Sequence, residues 1–188
     1  MQNIFKTALI AVGALVLSTV MASAVTLTFS NGGGNGSGTD LGAGDAYNYS
    51  FAFSSNNNKH MDHPSIWSGT TGATENLVVT GDWQFSTNDK RNASEDPLGY
   101  FIGAVYTALS YPKKAPAFEN GSFSFLVPPN TTFGWVLDSV DGKKGRSNAT
   151  IFANITPAAV PLPAGGLMLV GAIGGLAALR RRKASTAV

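Results

Sequence analysis

Tyr47-Asn48-Tyr49-Ser50-Phe51-Ala52-Phe53 sets a bulky aromatic side chain at every second position and a small or polar one between. In an extended chain successive side chains point to opposite faces, so this stretch reads as one half-buried β-strand with an aromatic inner face. A helix would scatter the same four rings around its circumference, because its period is 3.6 residues. Working outward, shorter runs of the same kind lie at 25–29, 76–80, 83–86, 100–107, 122–127, 133–138 and 150–155. Gly, Asn, Asp or Pro punctuates nearly every gap between them, as turns require. About eight short strands with no convincing amphipathic helix predict an all-β fold, a single antiparallel β-sandwich of jelly-roll type whose core takes most of the aromatic residues.

The strand-rich body, residues 25–157, is flanked by segments of different composition. At the N-terminal side Lys6 precedes an apolar stretch from Ala8 to Val20, followed by Ala22-Ser23-Ala24. Small residues at Ala22 and Ala24 are what signal peptidase accepts, so residues 1–24 read as a signal peptide cut after Ala24. At the other side, residues 158–188 carry Val160-Pro161-Leu162-Pro163-Ala164, then no charge from Gly165 to Leu179, then Arg180-Arg181-Arg182-Lys183. As a helix, residues 162–179 would rise about 27 Å against a hydrocarbon core of roughly 30 Å, a marginal transmembrane span. Snorkelling of Arg180 and Lys183 toward the headgroups closes the mismatch, and four consecutive cations hold that end on the cytoplasmic side as a basic stop. The body is then expected outside the membrane.

The motif Val160-Pro161-Leu162-Pro163-Ala164, the apolar helix and the cluster Arg180, Arg181, Arg182 and Lys183 together resemble a VPLPA-CTERM tail, a variant of the PEP-CTERM sorting signals of Gram-negative bacteria. The resemblance implies recognition by an exosortase, a membrane cysteine peptidase that cuts near the motif, which makes this chain a substrate and not an enzyme. It also implies residence in the inner membrane with the body in the periplasm before processing, and at the cell surface or in an extracellular matrix afterwards. A Gram-positive sortase signal is a poorer fit, because Leu162-Pro163-Ala164-Gly165-Gly166 lacks the threonine such enzymes acylate. A GPI-type signal should end in its hydrophobic tail, without the Arg cluster. Within the body, Gly81-Asp82-Trp83-Gln84-Phe85 and Gly121-Ser122-Phe123-Ser124-Phe125, followed by Thr132-Phe133-Gly134-Trp135, resemble the β-rich exported domains that precede such tails.

Charge narrows the partners. Without Lys6 and the four tail cations, 8 of the 13 Lys and Arg remain in the body against all 11 Asp and Glu, a balance of −3. That removes the electrostatic motive for nucleic-acid binding, which needs clustered cations on one face. Lys113-Lys114 and Lys143-Lys144 read as solvated loops. The chain has no cysteine, so an exported body is held by packing and backbone hydrogen bonds, without disulfides, thiolate metal sites or a cysteine nucleophile.

Catalytic motifs are poorly supported. His60-Met61-Asp62-His63 offers two imidazoles where a catalytic zinc needs three protein ligands, and the chain has no third histidine. Ser110-Tyr111-Pro112-Lys113 matches a Ser-x-x-Lys pattern, yet Pro112 and the preceding strand oppose the helix that would stack lysine on serine. The stretch 32–38 in the Gly-rich loop 31–45 is followed by neither Gly-Lys-Ser/Thr nor a helix, so it reads as a flexible loop and not as a phosphate cradle. For a cofactor the sequence offers calcium ligands alone, with Asp89, Asp96, Asp138 and Asp141 as candidates beside loops, since carboxylates from neighbouring loops suit a hard cation. Turn capping by the same residues is the simpler reading. The expectation is therefore a non-enzymatic exported envelope or extracellular-matrix protein. The alternative is a carbohydrate-binding module for exopolysaccharide, with exposed Trp67, Trp83, Trp135 or Tyr rings stacking on sugars; core burial of those tryptophans is the simpler reading.

Overall fold

A computed structural model of the protein describes residues 25–42, 47–57, 63–72, 74–89, 96–113, 116–140 and 145–158. The chain divides into two units, Met1–Pro157 and Ala158–Val188. The signal-peptide segment, the motif at 160–164, the apolar stretch 162–179 and the basic residues 180–183 lie outside the described residues. Among the described residues no helix is long and apolar enough to cross a membrane.

Ten strands appear among the described residues: β1 (Thr28–Ser30), β2 (Gly38–Asp40), β3 (Asn48–Ser54), β4 (Ser65–Thr70), β5 (Leu77–Thr87), β6 (Leu98–Ile102), β7 (Val105–Ala108), β8 (Ala117–Val127), β9 (Thr132–Leu137) and β10 (Ser147–Pro157). They form two five-stranded sheets in the orders β1-β4-β9-β6-β7 and β2-β3-β10-β5-β8. All the strand pairings are antiparallel, so the body is an all-β antiparallel sandwich. Residues 48–53 of the stretch 47–53 lie in β3, with Phe51 and Phe53 facing inward, as the alternation requires.

The strand count differs from expectation for local reasons. The runs 76–80 and 83–86 are one strand, β5, because Gly81-Asp82 continues the ladder to β8 and β10 instead of turning. The run 100–107 is instead a hairpin, β6 and β7, whose turn contains Gly103 at a φ of 58°, in the left-handed region that glycine enters at no steric cost. β2 and β4 have no place in the periodicity reading, being short and interrupted by glycine. Nor is the Gly-rich stretch a free tether. Asn35 N donates to Asn56 Oδ1 at 2.8 Å, Ser37 and Ser54 hydroxyls meet at 2.9 Å, and β2 pairs with β3. Glycine serves there because a Cβ at Gly34 would stand 2.7 Å from the Asn56 amide carbon.

Between the sheets lies a core centred on Trp135, which is fully buried in β9. Its ring meets Phe51 at 5.2 Å, Phe123 at 5.6 Å, Phe125 at 6.2 Å and Phe133 at 6.2 Å, most of them tilted or edge-on. These are the separations and angles aromatic quadrupoles favour. Phe51, Phe123 and Phe125 come from the second sheet and Trp135 from the first, so this one cluster joins the layers. Leu77, Val79, Val127, Leu137, Ile151 and Ile155 fill the space around it.

Candidate functional site

Polar residues gather on the outer face of the second sheet. In β10, Ile151, Ala153 and Ile155 point inward, which by strand parity turns Thr150, Phe152 and Asn154 outward. In β5, Val79, Trp83 and Phe85 point inward and Thr80, Asp82 and Gln84 outward. β3 adds Asn48 and Ser50 to the same face. Register sets the neighbours: Phe152 lies opposite Ser50 on one side and Asp82 on the other, while Asn154 lies opposite Asn48 and Thr80. Side chains directly opposite on one face stand about 5 Å apart, so these groups are mutual neighbours.

Together they line a shallow cleft of about 310 Å³. That is the small end of the range for ligand clefts, roughly 300–1,000 Å³. Phe152 is 44% exposed, a large apolar ring among the polar side chains of Asn48, Ser50, Thr80, Asp82 and Asn154 that line the cleft, while Phe118 and Leu126 of β8 are exposed elsewhere on the same face. Asn154 Nδ2 donates to Asn48 Oδ1 at 2.8 Å, which aligns the two amides at one side of the cleft. Gly81 lets the strands close up beneath it: a Cβ there would strike the Phe152 carbonyl oxygen and come 2.9 Å from the Phe123 ring. Chemically the cleft offers one flat apolar surface with hydrogen-bonding groups of both kinds around it. A smaller recess of about 200 Å³ lies beside Val25, Leu27 and Tyr49, where Tyr49 Oη donates to the Val25 carbonyl at 2.6 Å. Burial raises the Tyr49 phenol above its ordinary range, partly offset by that hydrogen bond.

The tryptophans are not ligand platforms: Trp67, Trp83 and Trp135 are 8%, 6% and 0% exposed. Phe152 is the residue missed by reading the sequence for tryptophan and tyrosine, although the parity of Ile151, Ala153 and Ile155 already turns it outward.

Among the described residues, no three His, Asp or Glu side chains are grouped to hold a metal ion. Asp89 and Asp96 are fully buried at one end of the sandwich, where Asp96 Oδ2 accepts from Ser55 Oγ at 2.8 Å and Ser147 Oγ at 3.4 Å. Asp138 caps its own turn, accepting from Ser139 N at 2.8 Å, and Asp141 lies outside the described residues. Ser110 Oγ accepts from Leu98 N at 2.9 Å and follows β7 in a non-helical segment, so no helical turn stacks Lys113 upon it. His63 Nδ1 stands 2.6 Å from the Gly32 carbonyl, which it meets as donor in the Nδ1-protonated tautomer, and His60 lies outside the described residues.

No protein-family model matches the chain, and no curated protein matches it. Among solved structures it is similar to a family 35 carbohydrate binding module from an environmental isolate, at 14% identity over 76% of this chain and 96% of that one, with a TM-score of 0.36. It is similar also to the CBM36-1 domain of a multidomain xylanase from the hindgut metagenome of Trinervitermes trinervoides, at 14% identity over 72% of this chain and 100% of that one, TM-score 0.34. A third is CBM35 from Cellvibrio japonicus Abf62, at 9% identity over 72% and 92% of the two chains, TM-score 0.35.

On the outer face of the first sheet, Tyr106 lies opposite Phe101 and lays its ring over Gly99. Burial, then the negative charges of Asp138 and Tyr111, push its phenol from 10.0 up to about 12. The folded chain thus keeps a proton that the unfolded chain releases near pH 10, so the stability contributed by this group falls as pH rises from about 10 through about 12. A tyrosinate absorbance titration is expected to show a late-ionising fraction of the 5 tyrosines, to which Tyr49 also contributes, and Tyr106→Phe should remove its latest part. Ionisation of all five together would contradict it.

Proposed function

We propose that the protein is a non-enzymatic, exported polysaccharide-binding protein of the cell envelope or extracellular matrix, which holds its ligand in the cleft on the outer face of the second sheet. The observation that carries this reading is Phe152, an exposed ring in a cleft lined by polar side chains, flanked in register by Asp82 and Ser50 and close to the paired amides of Asn48 and Asn154. A pyranose presents apolar C–H faces and hydroxyl edges, so a ring beneath and hydrogen-bonding groups around it match both kinds of surface. The direct test is binding of the detergent-solubilised full-length chain to an array of polysaccharides; no retention on any of them would sink the reading.

Delivery belongs to the same proposal. The signal peptide brings the chain across the membrane, the tail holds it there through residues 162–179 and the basic stop 180–183, and an exosortase acts at the motif 160–164. Support comes from the order of these three parts in the sequence. Deleting Val160 to Lys183 is expected to move the protein from the envelope fraction to the medium or periplasm. Unchanged retention in the envelope would defeat the anchoring.

A further inference from the structure

Charge is distributed very unevenly over the sandwich. None of the five strands of the second sheet contains a Lys or Arg, whereas they carry Asp40, Asp82 and Glu119. Every cation of residues 25–157 falls instead in one of four connections, β3–β4, β5–β6, β7–β8 and β9–β10. All four join the second sheet at one end, the end marked in register by Ser54, Thr87, Ala117 and Ser147. Asp82 stands five residues along β5 from Thr87, about 17 Å of extended chain. Among the described residues the cations are Lys113 and Arg146, and a charge at the Thr87 end of β5 lies farther from Asp82 than the screening length of roughly 8–10 Å at physiological salt. Asp82 itself is exposed, lies beside Phe152 and forms part of the cleft wall.

We propose that the cleft selects polysaccharides free of anionic groups and rejects polyuronates, with Asp82 as the residue that sets this choice; the proposal rests on the polysaccharide reading above. A carboxylate accepts hydrogen bonds at both oxygens, so Asp82 suits two neighbouring hydroxyls of a neutral sugar or the ammonium of an amino sugar. A uronate placed on Phe152 would instead face a like charge with no described cation on that sheet to compensate.

Affinity electrophoresis of the full-length chain in mild detergent, at physiological salt, in gels containing a neutral β-glucan, partly deacetylated chitin or alginate separates the outcomes. The wild type is expected to be retarded by the glucan and the amino polymer and not by alginate. Asp82→Asn should lower the preference for the amino polymer over the neutral one by about threefold, the scale of one exposed charge pair. Asp82→Lys should gain retardation by alginate. Equal retardation of the wild type by alginate and glucan, unchanged in Asp82→Asn, would overturn the selectivity and leave the polysaccharide reading standing. Absence of retardation in all three gels would remove both.

Discussion

Trp135→Ala is expected to cost about 3–5 kcal/mol of folding stability, the range for deleting a fully buried large aromatic side chain. The side chain is 0% exposed, and its ring touches aromatic neighbours from both sheets, so nothing small nearby can swing in to fill the space. For a domain of ordinary stability, about 5–15 kcal/mol, that is a large fraction of the total. A fall of roughly 10–15 °C in Tm is the corresponding thermal readout. Trp135→Phe is the informative control. Trp135 Nε1 makes no hydrogen bond among the described residues, so the phenylalanine variant loses ring area but also removes a buried polar group that has no acceptor. Its loss should be less than half that of the alanine variant. Equal losses in the two would show that the packing argument is wrong.

Phe152→Ala is expected to do the reverse, weakening polysaccharide binding about five- to thirtyfold while costing far less stability than Trp135→Ala. Loss of a ring–sugar contact is worth on the order of 1–2 kcal/mol, and about 1.4 kcal/mol corresponds to tenfold in affinity. The fold has little stake in this ring, since its outer face is solvent and the inward neighbours Ile151 and Ala153 hold β10 in place. With the side chain partly exposed, losing its cross-strand contacts costs about 1 kcal/mol, well below the Trp135→Ala loss. Phe152→Trp should retain binding. Chemical denaturation alongside affinity electrophoresis checks both halves, and an alanine variant that binds as the wild type would move the ligand site elsewhere.

Much of the fold was legible because alternation is a local signal. The stretch 47–53 states its own inner and outer faces, and so do 122–127 and 150–155. What misled was glycine. Gly81 interrupts the side-chain pattern of β5 without interrupting its ladder, because it fills a place where two neighbouring strands leave no room for a Cβ. Gly103, with the same side chain, does turn the chain. Local sequence does not separate these two uses, since the difference lies in what packs alongside. The buried carboxylates Asp89 and Asp96 show the same limit. Both read as loop residues, and only the convergence of the chain around Ser55 and Ser147 buries Asp96 with hydroxyl partners.

By itself the sequence determined the strand character of the body, the absence of thiol chemistry, the negative balance of residues 25–157 and the two flanking segments that argue for export. These follow from composition and from periods of two, which each stretch carries without reference to the rest. The tertiary structure alone decided which strands are neighbours. Asn48, Asp82 and Phe152 are separated by more than thirty residues at each step in the chain, yet registers among β3, β10 and β5 set them on one sheet face. Pairing depends on long-range closure and on two sheets burying one aromatic core, so the cleft exists only once Trp135 and its neighbours have brought the layers together.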